Sequence, residues 1–116
     1  MNPFSKKITG IFIPVKDIEK ARDWYCELLQ LKPTNDFPGG HLYILEMKDL
    51  NIVLDSKIYR EETILQTPIF HFDTDDIQGA YNYIQSKGIE LVTEIQFGHY
   101  FNFKDPDGNH LMLCQR

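Results

Sequence analysis

At 116 residues, with 42% hydrophobic and 25% charged residues, the chain has the length and composition of one globular domain, or of two small modules sharing a core. A net charge of −5 and the lack of any Lys/Arg cluster exclude a phosphate-neutralising nucleic-acid surface, and no run reaches the roughly 18 apolar residues of a membrane span. The opening "MNPFSKKITG" lacks the apolar stretch of a signal peptide, so a cytoplasmic location is expected, and Cys26 and Cys114, far apart and without metal-type spacing, are expected as two reduced thiols.

"ITGIFIPV" (8–15) is rich in β-branched residues and predicts the first strand. Asp17 is placed to cap a helix whose apolar stripe is Ile18, Ala21, Trp24, Tyr25, Leu28 and Leu29, ended by Pro33. After a Pro/Gly-Gly connection, "HLYILEM" and "LNIVLDS" predict two strands about a short polar turn. "TPIFHFDT" (67–74) predicts the next strand, and Asp76 caps a helix striped by Ile77, Ala80, Tyr81 and Ile84 and stopped at Lys87-Gly88. "ELVTEIQF", "YFNFKD" and "HLMLCQ" complete the list as three strands.

The order repeats. Asp17, Ile18 and Ala21 map onto Asp76, Ile77 and Ala80 with a shift of 59 residues, and the same shift carries "GIFI" (10–13) onto "IFHF" (69–72) and "IVL" (52–54) onto "LML" (111–113). The expectation is an α+β fold of two tandem βαβββ modules, about 7–57 and 66–116, within a single domain spanning 1–116. The modules form a curved mixed sheet around a cleft, with the helices on the outer face.

Asp105-Pro106-Asp107-Gly108 fits a type I turn followed by a left-handed glycine, a three-residue hairpin loop that pairs Asp105 with Asn109. That register places Phe101, Phe103, Leu111 and Leu113 on one face, under the helix, and Tyr100, Asn102, His110, Met112 and Cys114 on the other. Transferring the same geometry to the first module puts Leu42, Ile44, Ile52 and Leu54 under the helix and Tyr43, Leu45, Val53 and Asp55 on the open side. For the opening strands, Phe12 belongs to the open face with Ile69, His71 and Asp73. The open faces thus collect aromatics, a histidine and scattered apolar groups, a mixture suited to a ligand cleft.

The paired modules, the Asp-Ile-x-x-Ala helix starts and "DPDGN" before the last strand resemble the vicinal oxygen chelate superfamily, which includes glyoxalase I, extradiol dioxygenases and the fosfomycin- and bleomycin-resistance proteins. The resemblance runs from about Ile8 to Gln115. In the metal-dependent members it implies four cleft-facing His or Glu ligands, at positions that correspond here to Gly10, Val53, Ile69 and Met112. None supplies a carboxylate or imidazole for a hard divalent cation, so no metal and no cofactor are assigned.

The expected activity is that of a metal-independent binding protein that sequesters or senses a planar or cationic small molecule. Its ligand-binding residues are Phe12, Tyr43, Val53, Ile69, His71, Tyr100, Asn102 and Met112, with aromatic faces for stacking and cation–π contact. The resemblance also implies a homodimer, and the charge and the lack of a long apolar run lead to the expectation of no nucleic-acid or membrane partner. The alternative is an enzyme, a divalent-metal lyase, isomerase or dioxygenase whose displaced site uses His71 and Asp73 with Asp55 or His110. Asp105 and Asp107 have a structural role in the turn, and neither cysteine shows a catalytic neighbour in sequence.

Overall fold

The computed structural model describes residues 2–116. The chain divides into two compact units, the first ending at Thr63 and the second running from Ile64 to Arg116. Among the described residues no helix is long and apolar enough to cross a membrane.

In the first unit, β1 (Gly10–Pro14) runs parallel to β3 (Asn51–Asp55), which pairs antiparallel with β2 (Leu42–Glu46), giving a mixed sheet in the order β1-β3-β2. Between β1 and β2 lies α1 (Ile18–Leu29). The Asp17 carboxylate accepts from the backbone N–H groups of Glu19 and Lys20, both at 3.1 Å, satisfying two of the donors a helix start leaves unpaired. The helix ends at Gln30, whose φ of 56° is left-handed, three residues before Pro33. Ala21, Tyr25, Cys26 and Leu28 are buried from α1, Ile13, Ile52 and Leu54 from the strands, and Val15 just after β1, so the core lies between the helix and one face of the sheet.

The second unit repeats the plan. β4 (Phe72–Thr74) is parallel to β6 (His110–Gln115), and β5 (Tyr100–Lys104) is antiparallel to it. The Asp76 side chain accepts from the Gly79 N–H at 2.9 Å and caps α2 (Ile77–Ser86). Tyr81 of α2 meets Phe101 edge-on at 5.1 Å, over a face on which Phe101, Phe103 and Leu111 are fully buried. The observed register, Phe103 opposite Leu111 and Phe101 opposite Leu113, is the one the turn predicted.

The turn itself is a small buried polar assembly. Gly108 N–H donates to Asp105 C=O at 3.0 Å, and Gly108 has a φ of +92°, a conformation that suits glycine. The Asp105 carboxylate accepts from the backbone of Asp107 and Asn109 and from the Asn109 amide. The Asn109 side-chain oxygen Oδ1 accepts the Leu65 N–H at 2.8 Å. Both side chains are buried, so the motif ties the hairpin to the chain that opens this unit.

The strand predicted over "ELVTEIQF" (90–97) does not form: Val92 and Thr93 both donate to the Asn102 C=O where the chain bends, leaving only isolated bridges at Leu91–Phe103 and Gln96–Tyr100. Two further expectations are corrected. The strand predicted over 67–74 is confined to 72–74. Leu65 C=O takes the N–H of His110 at 2.8 Å, and the chain then bends through Pro68 before rejoining β6 at Leu113. The second correction is the face of β2. Tyr43 lies opposite Leu54 and Leu45 opposite Ile52, and all four are buried under α1. Four residues (47–50) connect β2 to β3, where five (105–109) connect β5 to β6. One residue fewer in the connection reverses every side chain of the strand. β2 therefore aligns with β5 at a shift of 58, while β3 keeps 59 with β6.

Candidate functional site

On the first sheet, the face turned away from α1 carries a row across all three strands. Phe12 lies beside Val53, and Val53 lies opposite Ile44. Phe12 is 51% exposed and Ile44 42% exposed, so this row is an apolar strip open to solvent in the first unit. Phe12 and Val53 lie on the face that the sequence predicted for them, Ile44 joins them there, and Tyr43 lies on the opposite face. The signal that separates the last two was the length of the 47–50 connection.

Tyr43 has a different task. Its hydroxyl accepts the Thr34 N–H at 3.1 Å and lies 3.7 Å from the Cys26 sulfur. Phe37 packs against its ring at 5.5 Å. It also lines a cavity of about 460 Å³ beside the outer edge of β2.

On the second sheet, Asn102 lies opposite Met112 and Tyr100 opposite Cys114, with Asp73 on the far side of Cys114. This face is the one away from Phe101 and Phe103. The Asn102 backbone is fully paired, its N–H with the Thr93 hydroxyl oxygen and its C=O with the N–H groups of Val92 and Thr93. Its side-chain oxygen is buried with no hydrogen-bond partner among the described residues. A buried acceptor in that condition is a standing demand for a donor.

His71 is exposed just ahead of β4, with Nδ1 3.4 Å from Asp73 Oδ1. The Asp73 carboxylate also takes the Arg116 guanidinium, and His110 Nδ1 is held by the Gln66 carbonyl. Ile69 is 63% exposed and lies outside β4, so it has left the strand position that sequence alignment gave it. Asp55 is buried in the first unit, where its carboxylate accepts the Lys57 N–H.

A hard divalent ion needs oxygen or imidazole donors. The side chains at the four positions implied by the resemblance, Gly10, Val53, Ile69 and Met112, offer only a hydrogen, two hydrocarbons and a thioether. Among the described residues no three His, Cys, Asp or Glu side chains gather in a way that would hold an ion. These residues do not fit the metal of the metal-dependent members.

Two helix-covered mixed sheets in tandem, each with an open face carrying aromatic and apolar groups, define an α+β protein of the paired-module kind. The chain belongs to the Glyoxalase/Bleomycin resistance protein/Dioxygenase superfamily, whose sequence model matches residues 7–113. It is similar to the protein YetH of Bacillus subtilis (strain 168), 26% identical over 116 residues covering 93% of this chain and 97% of that one. Among solved structures it is similar to TnmS3, an antibiotic-binding protein from Streptomyces sp. CB03234, with a TM-score of 0.74 at 24% identity over 99% of this chain and 98% of that one. It is also similar to lactoylglutathione lyase from Agrobacterium tumefaciens, with a TM-score of 0.73 at 18% identity over 98% and 96% of the two chains. At these identities the structural likeness establishes the fold.

Proposed function

We propose that this chain is a metal-independent small-molecule-binding protein, acting by sequestration or sensing, whose ligand is planar or cationic and lies on the open sheet faces. The observation that carries the reading is the solvent-open row of Phe12, Val53 and Ile44. Such a strip gains stability by being covered with an apolar or aromatic surface. A ring stacked on Phe12 gains further from its quadrupole, and a cationic ring gains most. The −5 net charge favours the approach of a cation.

In the second unit, Tyr100 and Met112 offer the same kind of surface, and the unpaired Asn102 oxygen selects for a ligand that donates a hydrogen bond. Similar folds include a protein described as antibiotic-binding and one described as a lyase. The donor-poor set at Gly10, Val53, Ile69 and Met112 favours binding over Lewis-acid chemistry. The reading takes the protein to be cytoplasmic and a homodimer, the commonest closed oligomer.

One observation speaks for an enzyme instead. His71 and Asp73 are neighbours on the second unit's open face, and a third ligand would complete a displaced metal site. Against it, Asp73 is already engaged by Arg116 and His110 by Gln66. Calorimetric titration with Ni²⁺, Zn²⁺, Mn²⁺ and Fe²⁺ separates the readings. The expected result is no stoichiometric binding. Stoichiometric binding that disappears in His71→Ala would establish the displaced site and overturn the metal-independent reading.

A further inference from the structure

The outer edges of β2 and β5 are equivalent in position and opposite in condition. In the second unit, Asp105 N–H bonds Asn109 C=O and Gln115 N–H bonds His99 C=O, which fixes the alternation along β5. The backbone groups of Tyr100, Asn102 and Lys104 therefore point outward. Residues 90–96 meet them: Val92 N–H donates to Asn102 C=O at 2.8 Å, Lys104 N–H to Glu90 C=O at 3.0 Å, and Gln96 N–H to Tyr100 C=O at 2.7 Å.

In the first unit, Ser56 N–H bonds His41 C=O at 3.0 Å. By the same alternation Leu42, Ile44 and Glu46 point their backbone groups away from β3. Ile44 and Glu46 hold the places of Asn102 and Lys104. Among the described residues nothing pairs with those outward groups. The connection that would cover them is held aside by side chains. Thr34 N–H is taken by the Tyr43 hydroxyl, and Arg22 donates to Thr34 C=O at 3.0 Å and to Asn35 Oδ1 at 2.8 Å.

The space left between that connection and the β2 edge is the cavity of about 460 Å³, within the range of small-ligand sites. Leu31, Tyr43 and Leu45 give it an apolar floor. Lys32, Asp36 and Glu46 line it too, two carboxylates against one ammonium.

We propose that this cavity is a second binding site, distinct from the open faces, and that its ligand is an extended peptide segment carrying a basic residue. The peptide lies along β2 in the place where residues 90–96 lie along β5, and as a regular strand it exchanges both backbone hydrogen bonds with Ile44. One of its apolar side chains covers Leu31, Tyr43 and Leu45, and its cation meets Asp36 and Glu46. The occupant's chemistry is given by the second unit, where the 90–96 segment satisfies the same outward groups, through backbone groups at Tyr100, Lys104 and the Asn102 C=O and through the Thr93 hydroxyl at the Asn102 N–H, and by the excess of carboxylate around the cavity.

The test is an amide-resolved NMR titration of the full chain with acetyl-Leu-Val-Lys-amide and with versions methylated at one backbone nitrogen at a time. The expected result is saturable shifts at Thr34, Ile44 and Glu46. Methylation should weaken binding at least about tenfold at alternate nitrogens and leave the nitrogens between them nearly neutral, the signature of a paired strand. Ile44→Pro should abolish binding while keeping the fold, because the lost N–H points away from β3. The proposal is overturned by no saturable shift, by shifts away from residues 31–46, or by equal binding of every methylated peptide. Shifts at 42–46 that depend on protein concentration without peptide would also overturn it, by giving this edge to a second copy of the chain.

Discussion

Residues 31–41 and 90–99 are corresponding connections in the two units, and each leads from the helix to an edge strand. In the second unit the connection lies along β5 through backbone hydrogen bonds, with bridges at Leu91–Phe103 and Gln96–Tyr100. In the first, Arg22 and Tyr43 hold it away from β2, and Arg22 also sits 5.1 Å over the Phe37 ring. Backbone pairing closes an edge and leaves no recognition groups behind. Side-chain anchoring leaves a cavity, a row of free amides and a connection whose position depends on two residues. One plan, used twice, has produced a sealed edge and an open one.

The largest difference to test is in the two hairpin connections. Asn109→Ala removes the side-chain bonds of a fully buried residue to Leu65 and Asp105 and should cost about 2–3 kcal/mol in urea unfolding. Asp49→Ala, at an exposed position of the 47–50 connection, should stay within about 0.5 kcal/mol. Equal costs would erase the contrast. Next, Arg22→Ala should cost about 1–2 kcal/mol and speed amide exchange at residues 34–37, leaving 90–96 unchanged.

Tyr43→Phe should cost about 1 kcal/mol through its lost bond to Thr34, a stability effect that the sequence-based placement of Tyr43 on the open face does not anticipate. A smaller cost than at Tyr43 is expected for Thr93→Val, about 0.5–1 kcal/mol, because one hydroxyl contact to Asn102 is lost while neighbouring backbone bonds persist. If Thr93→Val instead freed the whole 90–96 segment, the second unit's edge would be anchored by side chains after all.

Much of this was legible in the residues. The repeat, both aspartate caps and the β5–β6 register follow from local chemistry: a carboxylate before an apolar stripe, and Asp-Pro-Asp-Gly before an alternating run. What failed depended on counting between elements. A single shift of 59 could not register that the β2–β3 connection is one residue short, and that residue moved Tyr43 off the open face and Ile44 onto it. The apolar run Pro68-Ile69-Phe70 read as strand because its composition suits one. Its place beside β6 was limited by the Leu65–His110 bond ahead of it and by a proline that has no N–H to give. The unpaired Asn102 oxygen and the β2 edge cavity had no sequence signal, since both arise from what neighbouring segments leave unfilled.

The central claim, a planar cation bound on the open faces without a metal, is tested most directly by titrating methylene blue into EDTA-treated protein and following the dye's absorbance. The account predicts saturable binding in EDTA, unchanged when Zn²⁺, Ni²⁺ or Mn²⁺ is restored in excess of the chelator, and weakened about tenfold by Phe12→Ala. Binding that appears only after metal is restored, or that ignores the loss of Phe12, would contradict it.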